Sequence, residues 1–259
     1  MPAGRRLPDR NLALSGLRPA DPAGPQPWGE GTGSLRPLFF SRRIGACCGM
    51  RKPDFLFELA ARATGARCIV GVDEAGRGPL AGPVTAAAVR LHPDRIPPGL
   101  NDSKQLTAAR RSQLCALILA TADVGIGHAS VDEIDQINIL RASHLAMCRA
   151  IAALPAVADH ALIDGTMSPR DLACTAQAIV GGDARCLSIA AASIVAKVTR
   201  DRIMVDLAQQ HPGYGWDRNA GYPTQEHLAA LQNLGVTPAH RRSFKPVHNI
   251  LYQDLSLTP

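Results

Sequence analysis

CIVGVDEAGRGPLAGP, residues 68–83, is the stretch whose reading decides the fold. Ile69 to Val72 is a short apolar run that reads as a buried strand. It ends on two adjacent carboxylates, Asp73 and Glu74, and Gly76-Arg77-Gly78 follows at once. Carboxylates at the end of a buried strand are held rigidly, as catalytic or metal-binding groups need to be. Glycines let backbone approach a ligand closely, and an arginine between them is suited to a phosphate. Taken alone, the stretch reads equally well as a strand closing in a polar, glycine-rich turn. A dinucleotide-binding loop fits poorly, because the glycines run G-x-G-x-x-x-G and no helical pattern opens on them. Consecutive residues of a regular strand point to opposite faces, so Asp73 and Glu74 do not both aim into one pocket. Either the strand is distorted there or Glu74 reaches a shared site from the side.

The same design recurs twice. His160 to Gly165, HALIDG, is a second apolar run ending in an aspartate, Asp164. Ala176 to Val180 leads through Gly181-Gly182 to Asp183, which is the third. Any one of these aspartates alone reads as a turn or cap residue. Three strand-like segments carrying four carboxylates at their ends form a pattern, because strand ends in a compact sheet converge. Clustered carboxylates repel one another and stay ionised chiefly when a cation neutralises them. An all-oxygen ligand set favours Mg²⁺ or Mn²⁺ over zinc.

The remaining elements follow from periodicity. A short amphipathic helix is expected over 53–63 and a second strand over Val84 to Leu91, antiparallel to the first if the link is a hairpin. Asn101-Asp102-Ser103-Lys104 precedes a helical stretch, Thr107 to Thr121, in which Asp102 or Ser103 reads as a cap and Lys104 as a solvated charge. Asp123 to Val131 reads as a third strand, and one long helical pattern runs from Asp132 to Leu154. His128 and His144 carry no chemical signal. The most helix-like stretch is Leu187 to Leu207, where Ala190, Ala191, Ala192 and Ser193 allow close packing on a sheet. Arg200 and Arg202 there read as a solvated face, while Lys197 lies within the most apolar part, which suggests a directed role. Tyr214, Trp216 and Tyr222 in the loop 211–224 are suited either to packing down or to stacking on a base or sugar. A helix is expected over 225–234, and HRRSFKPVH at 240–248 is a basic cluster suited to phosphate.

Composition bounds the partners. Of 259 residues, 46% are hydrophobic and 19% charged, which suits a folded globular chain; only 4% are aromatic, so Ala, Val, Ile and Leu must fill the core. Residues 1–49 hold 7 of the 20 prolines and 8 of the 23 glycines without apolar period, and are expected to form a disordered extension. Met50 is an alternative start. The extension carries 7 Arg against 3 acids, so it supplies +4 of the net +6, and residues 50–259 are expected to form one nearly neutral catalytic domain. Net charge therefore permits a nucleic-acid partner without demanding one. Seven cysteines without a C-x-x-C pair argue against a zinc site and for a reducing, cytoplasmic setting. No apolar run approaches the roughly 20 residues of a membrane span, and a monomer is expected.

Together these pieces resemble bacterial ribonuclease HII. The matching stretches are GVDEAGRGPLAGPV at 71–84, NDSKQLT at 101–107, LIDG at 162–165, SIAAASIVAKVTRD at 188–201, GYPTQEH at 221–227 and HRRSF at 240–244. The resemblance covers about residues 65–248 and leaves 1–49 without an inherited function. It implies an α/β fold of the ribonuclease H-like kind, a mixed sheet flanked by helices with a helical C-terminal part. It implies endonucleolytic cleavage of the RNA strand of RNA–DNA hybrids and nicking at single ribonucleotides embedded in duplex DNA, as in ribonucleotide excision repair and DNA replication. The implied chemistry is two-metal-ion hydrolysis with Mn²⁺ or Mg²⁺, leaving a 5′-phosphate and a 3′-hydroxyl. By motif position the metal-binding, catalytic carboxylates fall on Asp73, Glu74, Asp164 and Asp183. Gly76, Arg77, Gly78 and Tyr222 match the elements that sense the ribose 2′-hydroxyl, and Lys104 and Lys197 match positions near substrate phosphates. Two other classes stay open: a DNA nuclease of the same superfamily, separated by its action on all-DNA duplex, and a non-catalytic nucleic-acid binder, which four intact acids disfavour.

Overall fold

The computed structural model describes residues 52–252. The expected extension over 1–49 and the alternative start at Met50 lie outside the described residues. Five strands form one sheet: β1 Ile69–Ala75, β2 Val84–Arg90, β3 Asp123–Ala129, β4 His160–Asp164 and β5 Thr175–Ile179. Their spatial order is β3-β2-β1-β4-β5. β1 and β2 form the expected antiparallel pair, and β3 continues it antiparallel. β4 runs parallel to both β1 and β5, so the sheet is mixed.

Helices cover both faces. α1 is Leu56–Ala63, α2 Ala108–Thr121, α3 Val131–Ile137, α4 Ile139–Ala152 and α5 Leu187–Gln210. The pleat assigns the faces. Val70, Val72, Ala86 and Ala88 pack with Ala142, Ala146, Met147 and Ala150 of α4. Ala87 and Val89 pack with Ala191, Ala192 and Val195 of α5, and α2 covers α5 through Leu114 and Ile118. Small residues bring both helices close. A Cβ on Gly71 would overlap the backbone of Ser188 and Ile189 in α5, and Cβ atoms on Gly125 and Gly127 would overlap the α4 backbone. Close approach is how a core so poor in aromatics reaches normal density.

The single helix expected over 132–154 is two. Asn138 takes φ of 68° and ψ of 163° between α3 and α4, a strained conformation that side chains other than glycine's rarely adopt. Its side chain then caps α4 by accepting from the amides of Leu140 and Arg141. A capping box between Ser130 and Glu133 opens α3.

Beyond α5 the chain is helical: α6 Trp216–Asn219, α7 Gln225–Leu234 and α8 Lys245–Tyr252. They pack around Trp216, Leu231 and Val247 against Leu80 and Met204. Tyr214 and Trp216 are buried, whereas Tyr222 is 43% exposed, so the aromatic loop divides between packing and display. Among the described residues no helix is long and apolar enough to cross a membrane. Gly71→Ala should push α5 off the sheet and cost about 2 kcal/mol or more, read as a lower urea midpoint with secondary structure retained at zero denaturant.

Candidate metal centre

β1 and β4 pair so that Val72 faces Ile163. The next residue on each strand is an aspartate, and paired residues of parallel strands share a face. Asp73 and Asp164 therefore stand side by side on the α5 face. Asp183 arrives from a single 3₁₀ turn, Gly182–Ala184, just after β5. One carboxylate oxygen from each of these three residues lies within 4.8 Å of the other two. Glu74 points to the opposite face, where it lines a small cavity with Ser143, His144 and Asp164. β1 stays regular through Ala75. The strand is therefore not distorted at Glu74, and the converging cluster consists of Asp73, Asp164 and Asp183 without it.

Burial dominates the electrostatics. Asp73 is only 5% exposed. Its pKa is raised well above the usual carboxylate range, by burial first and then by the charges of Glu74 and Asp164. Glu74 is raised by burial, against the pull of Arg77, which donates to its Oε1 at 3.1 Å. Asp164 is raised by burial, partly offset by the Gly182 amide, which donates to its Oδ1 at 2.7 Å. Lys104 donates to Asp183 Oδ2 at 3.2 Å. Burial disfavours that ammonium, but Asp183 and the nearby acids outweigh it and raise its pKa. One positive charge against three converging carboxylates leaves an excess of negative charge. The Asp73, Asp164 and Asp183 oxygens keep lone pairs beyond these bonds. Such a donor set fits a hard divalent cation.

The serine pair behind the acids was not legible in advance, whereas the Asp102 cap was. The Ser193 hydroxyl of α5 favours the ionised form of Asp73, and it is hydrogen-bonded in turn to Ser103 at 2.8 Å. Asp102 caps the turn that carries Lys104, accepting from its amide. Lys197 is not drawn to the acids; its ammonium pairs with Asp201 one turn on, at 2.7 Å.

The largest departure concerns two arginines. Arg200, expected on a solvated face, is 1% exposed. It donates to the carbonyls of Ala81, Pro83 and Ala220. Arg241, expected in a phosphate-contacting tail, is fully buried and donates to the carbonyls of Gly76, Arg77 and Gly82. In a trans peptide the C=O and the following N–H point oppositely. Drawing the Gly76 and Arg77 carbonyls inward therefore turns the amides of Arg77 and Gly78 outward. Gly76 is required: its φ is 98° and a Cβ would collide with Arg200. The Tyr222 ring stands over Gly78, 3.4 Å from where a Cβ would be. Gly76, Arg77, Gly78 and Tyr222 thus form one surface beside the acids.

With this geometry in hand, the profile of the ribonuclease HII family matches residues 70–247. The chain belongs to the ribonuclease HII family. It is 71% identical over 207 residues to a ribonuclease HII from Cereibacter sphaeroides, covering 80% of this chain and 98% of that protein. It is 66% identical over 209 residues to one from Paracoccus denitrificans, covering 81% and 100%. Among solved structures it is similar to ribonuclease H2 from Pyrococcus horikoshii, with a TM-score of 0.62 and 26% identity over 74% of this chain and all of that one. As a member of the ribonuclease HII family the chain is an endonuclease of the ribonuclease H type, and the family acts on the RNA of RNA–DNA hybrids.

His240 also leaves the expected basic cluster. It is buried against His227 and accepts from the Thr237 amide. The Trp216 indole donates to His227 Nε2, so His227 Nδ1 carries the proton that reaches the Tyr222 carbonyl. Burial, then His227, pushes the His240 pKa down to about 4, against about 6.5 unfolded. The unfolded chain therefore binds a proton in that window that the folded chain does not. Stability should fall as pH drops from about 6.5 to 4, by on the order of 2 kcal/mol. Urea midpoints across that range should fall more steeply for wild type than for His240→Asn.

Proposed function

We propose that this protein cleaves the RNA strand of RNA–DNA hybrids and also nicks duplex DNA at single embedded ribonucleotides, leaving a 5′-phosphate and a 3′-hydroxyl. The observation that carries the reading is the meeting of Asp73, Asp164 and Asp183 within 4.8 Å beside the Gly76–Gly78 and Tyr222 surface. Asp73, Asp164 and Asp183, with Glu74 from the side, would hold Mn²⁺ or Mg²⁺. Ions held there would supply Lewis acidity for activating a water and for stabilising the leaving 3′ oxygen.

The chain's own groups do the selecting. The outward amides of Arg77 and Gly78 are donors for a ribose 2′-hydroxyl, the group that separates RNA from DNA. Tyr222, exposed over Gly78, stacks on the sugar next to the junction. Arg77 is half exposed even while paired with Glu74, so its guanidinium is available to a phosphate. Lys104 holds Asp183 in place and keeps its own charge near the scissile phosphate. Lys197 gives α5 a second positive charge on the substrate side, and substrate binding would draw it away from Asp201. The pairs Arg77–Glu74 and Lys104–Asp183 offset acid charge until the substrate arrives.

A nicking assay on a duplex with one ribonucleotide, against an all-DNA duplex, tests the reading; equal cutting of both would overturn it. Asp73→Asn should lower cleavage by roughly 10³-fold or more while hybrid affinity stays within a few-fold. Unchanged cleavage would remove the metal role of Asp73. Tyr222→Ala should slow single-ribonucleotide substrates about 10-fold more than continuous hybrids, the scale of one lost stacking contact, as measured by kcat/KM on the two substrates.

A further inference from the structure

On the α4 side the cavity that holds Glu74 and Asp164 does not end at the acids. Through Leu140, His144 and Met167 it runs into a larger groove of about 630 Å³ between α4 and the segment joining β4 to β5. Arg141 and Arg170 line the two walls. Both are exposed, and among the described residues neither guanidinium meets a carboxylate within salt-bridge distance. Asp171 is the one acid along the groove. At its inner end the Ser143 hydroxyl is 1% exposed and has no hydrogen-bond partner. A buried hydroxyl without a protein partner is uncommon, and it leaves a polar atom free to be satisfied at that end of the cavity.

We propose that this groove carries a sugar–phosphate strand of the substrate duplex away from the centre, with Arg141 and Arg170 on its phosphates and the Ser143 hydroxyl on the polar group nearest Glu74. The proposal rests on the nucleic-acid substrate argued above. Charge complementarity favours this occupant: two unpaired guanidiniums outweigh the single aspartate, and the groove is continuous with the carboxylates at which cleavage is assigned. The exposed Met167 side chain in its floor suits the apolar face of a sugar. Contacts of this kind position a strand without reading its sequence.

The test is a double variant, Arg141→Gln with Arg170→Gln, chosen because among the described residues neither guanidinium takes part in an ion pair. On a long hybrid, KM should rise about 10-fold with kcat nearly unchanged. The slope of log(kcat/KM) against log[salt] should become shallower by about 1 to 2, near 0.9 per lost phosphate contact. Neutral methylphosphonates, placed singly within about one helical turn of the cut, should weaken wild type at one or two positions and leave the double variant indifferent there. Lysine at both positions should restore most of the affinity. Unchanged KM and salt slope would overturn the proposal, as would methylphosphonate effects identical in the two proteins or a loss of kcat on every substrate. Affinity is read by anisotropy and cleavage separately, which keeps two failures apart. Wild type that does not cleave hybrids ends the substrate reading on which the groove depends; wild type that cleaves but binds no better than the double variant ends the groove alone.

Discussion

Pairing of Val72 with Ile163 across two parallel strands fixes where the next residue of each must go, and both are aspartates. The sheet cannot form in this register without setting Asp73 beside Asp164. Burial and mutual repulsion then act on the same carboxylates, and both pKa values rise. A fold selected for stability alone would put an apolar pair there, because uncompensated buried charge is expensive. The surroundings reduce the cost in small steps: the Gly182 amide on Asp164, the Glu74 amide on Asp73, and Lys104 on Asp183. None cancels it. The remaining negative potential suits a divalent cation, so the cost of the cluster and its fitness for such an ion have one origin.

The second costly arrangement is the burial of Arg200 and Arg241, each on three carbonyls and no carboxylate. Burial lowers their pKa values to about 10 and about 9, yet both stay cationic near neutral pH. Lysine has the charge but not the planar fork of five donors that reaches three separated carbonyls at once. Carbonyls at 76, 77, 81, 82, 83 and 220 lie on two segments that share no secondary structure. Besides the two guanidiniums, backbone hydrogen bonds such as Leu80 to Gly221 and the packing of Leu80 and Ala81 with Trp216 and Ala220 set their relation. Holding Ala220 and Gly76 in one frame is what keeps Tyr222 over Gly78.

Strand ends and helix starts were largely legible in the sequence, because they depend on local pattern. Ile69, Val84, Asp123 and His160 begin strands where the apolar runs begin, and α7 has the expected bounds. The convergence of Asp73, Asp164 and Asp183 was legible too, since three apolar runs ending in acids have few ways to share a sheet. The opposed directions of Asp73 and Glu74 followed from the pleat alone. Charge was misread where tertiary packing overrides it. Arg200, Arg241 and His240 look solvated by composition, and only the positions of distant carbonyls and of His227 explain their burial. The break at Asn138 was also hidden, because apolar period continues across it and only backbone geometry reveals its positive φ.

That same pleat divides the molecule's labour. One face of β1 gives Asp73 to the α5 side, where Ser193 and Ser103 stiffen the acids from behind. The other gives Glu74 to the α4 side, where the wall is Ser143 and His144 and the space is open. A ligand engaging Asp73 and Glu74 together must cross the end of the strand, not enter from either face. The edge over which it crosses is formed by residues 76–78, held down by Arg241. On the proposed path, a substrate touching both Tyr222 and Arg141 would follow the contour of that edge, a demand that a flexible or A-like duplex meets at lower deformation cost than stiff B-form DNA. On the function proposed above, shape along the strand end and the amides of Arg77 and Gly78 would select for ribose by two independent physical routes.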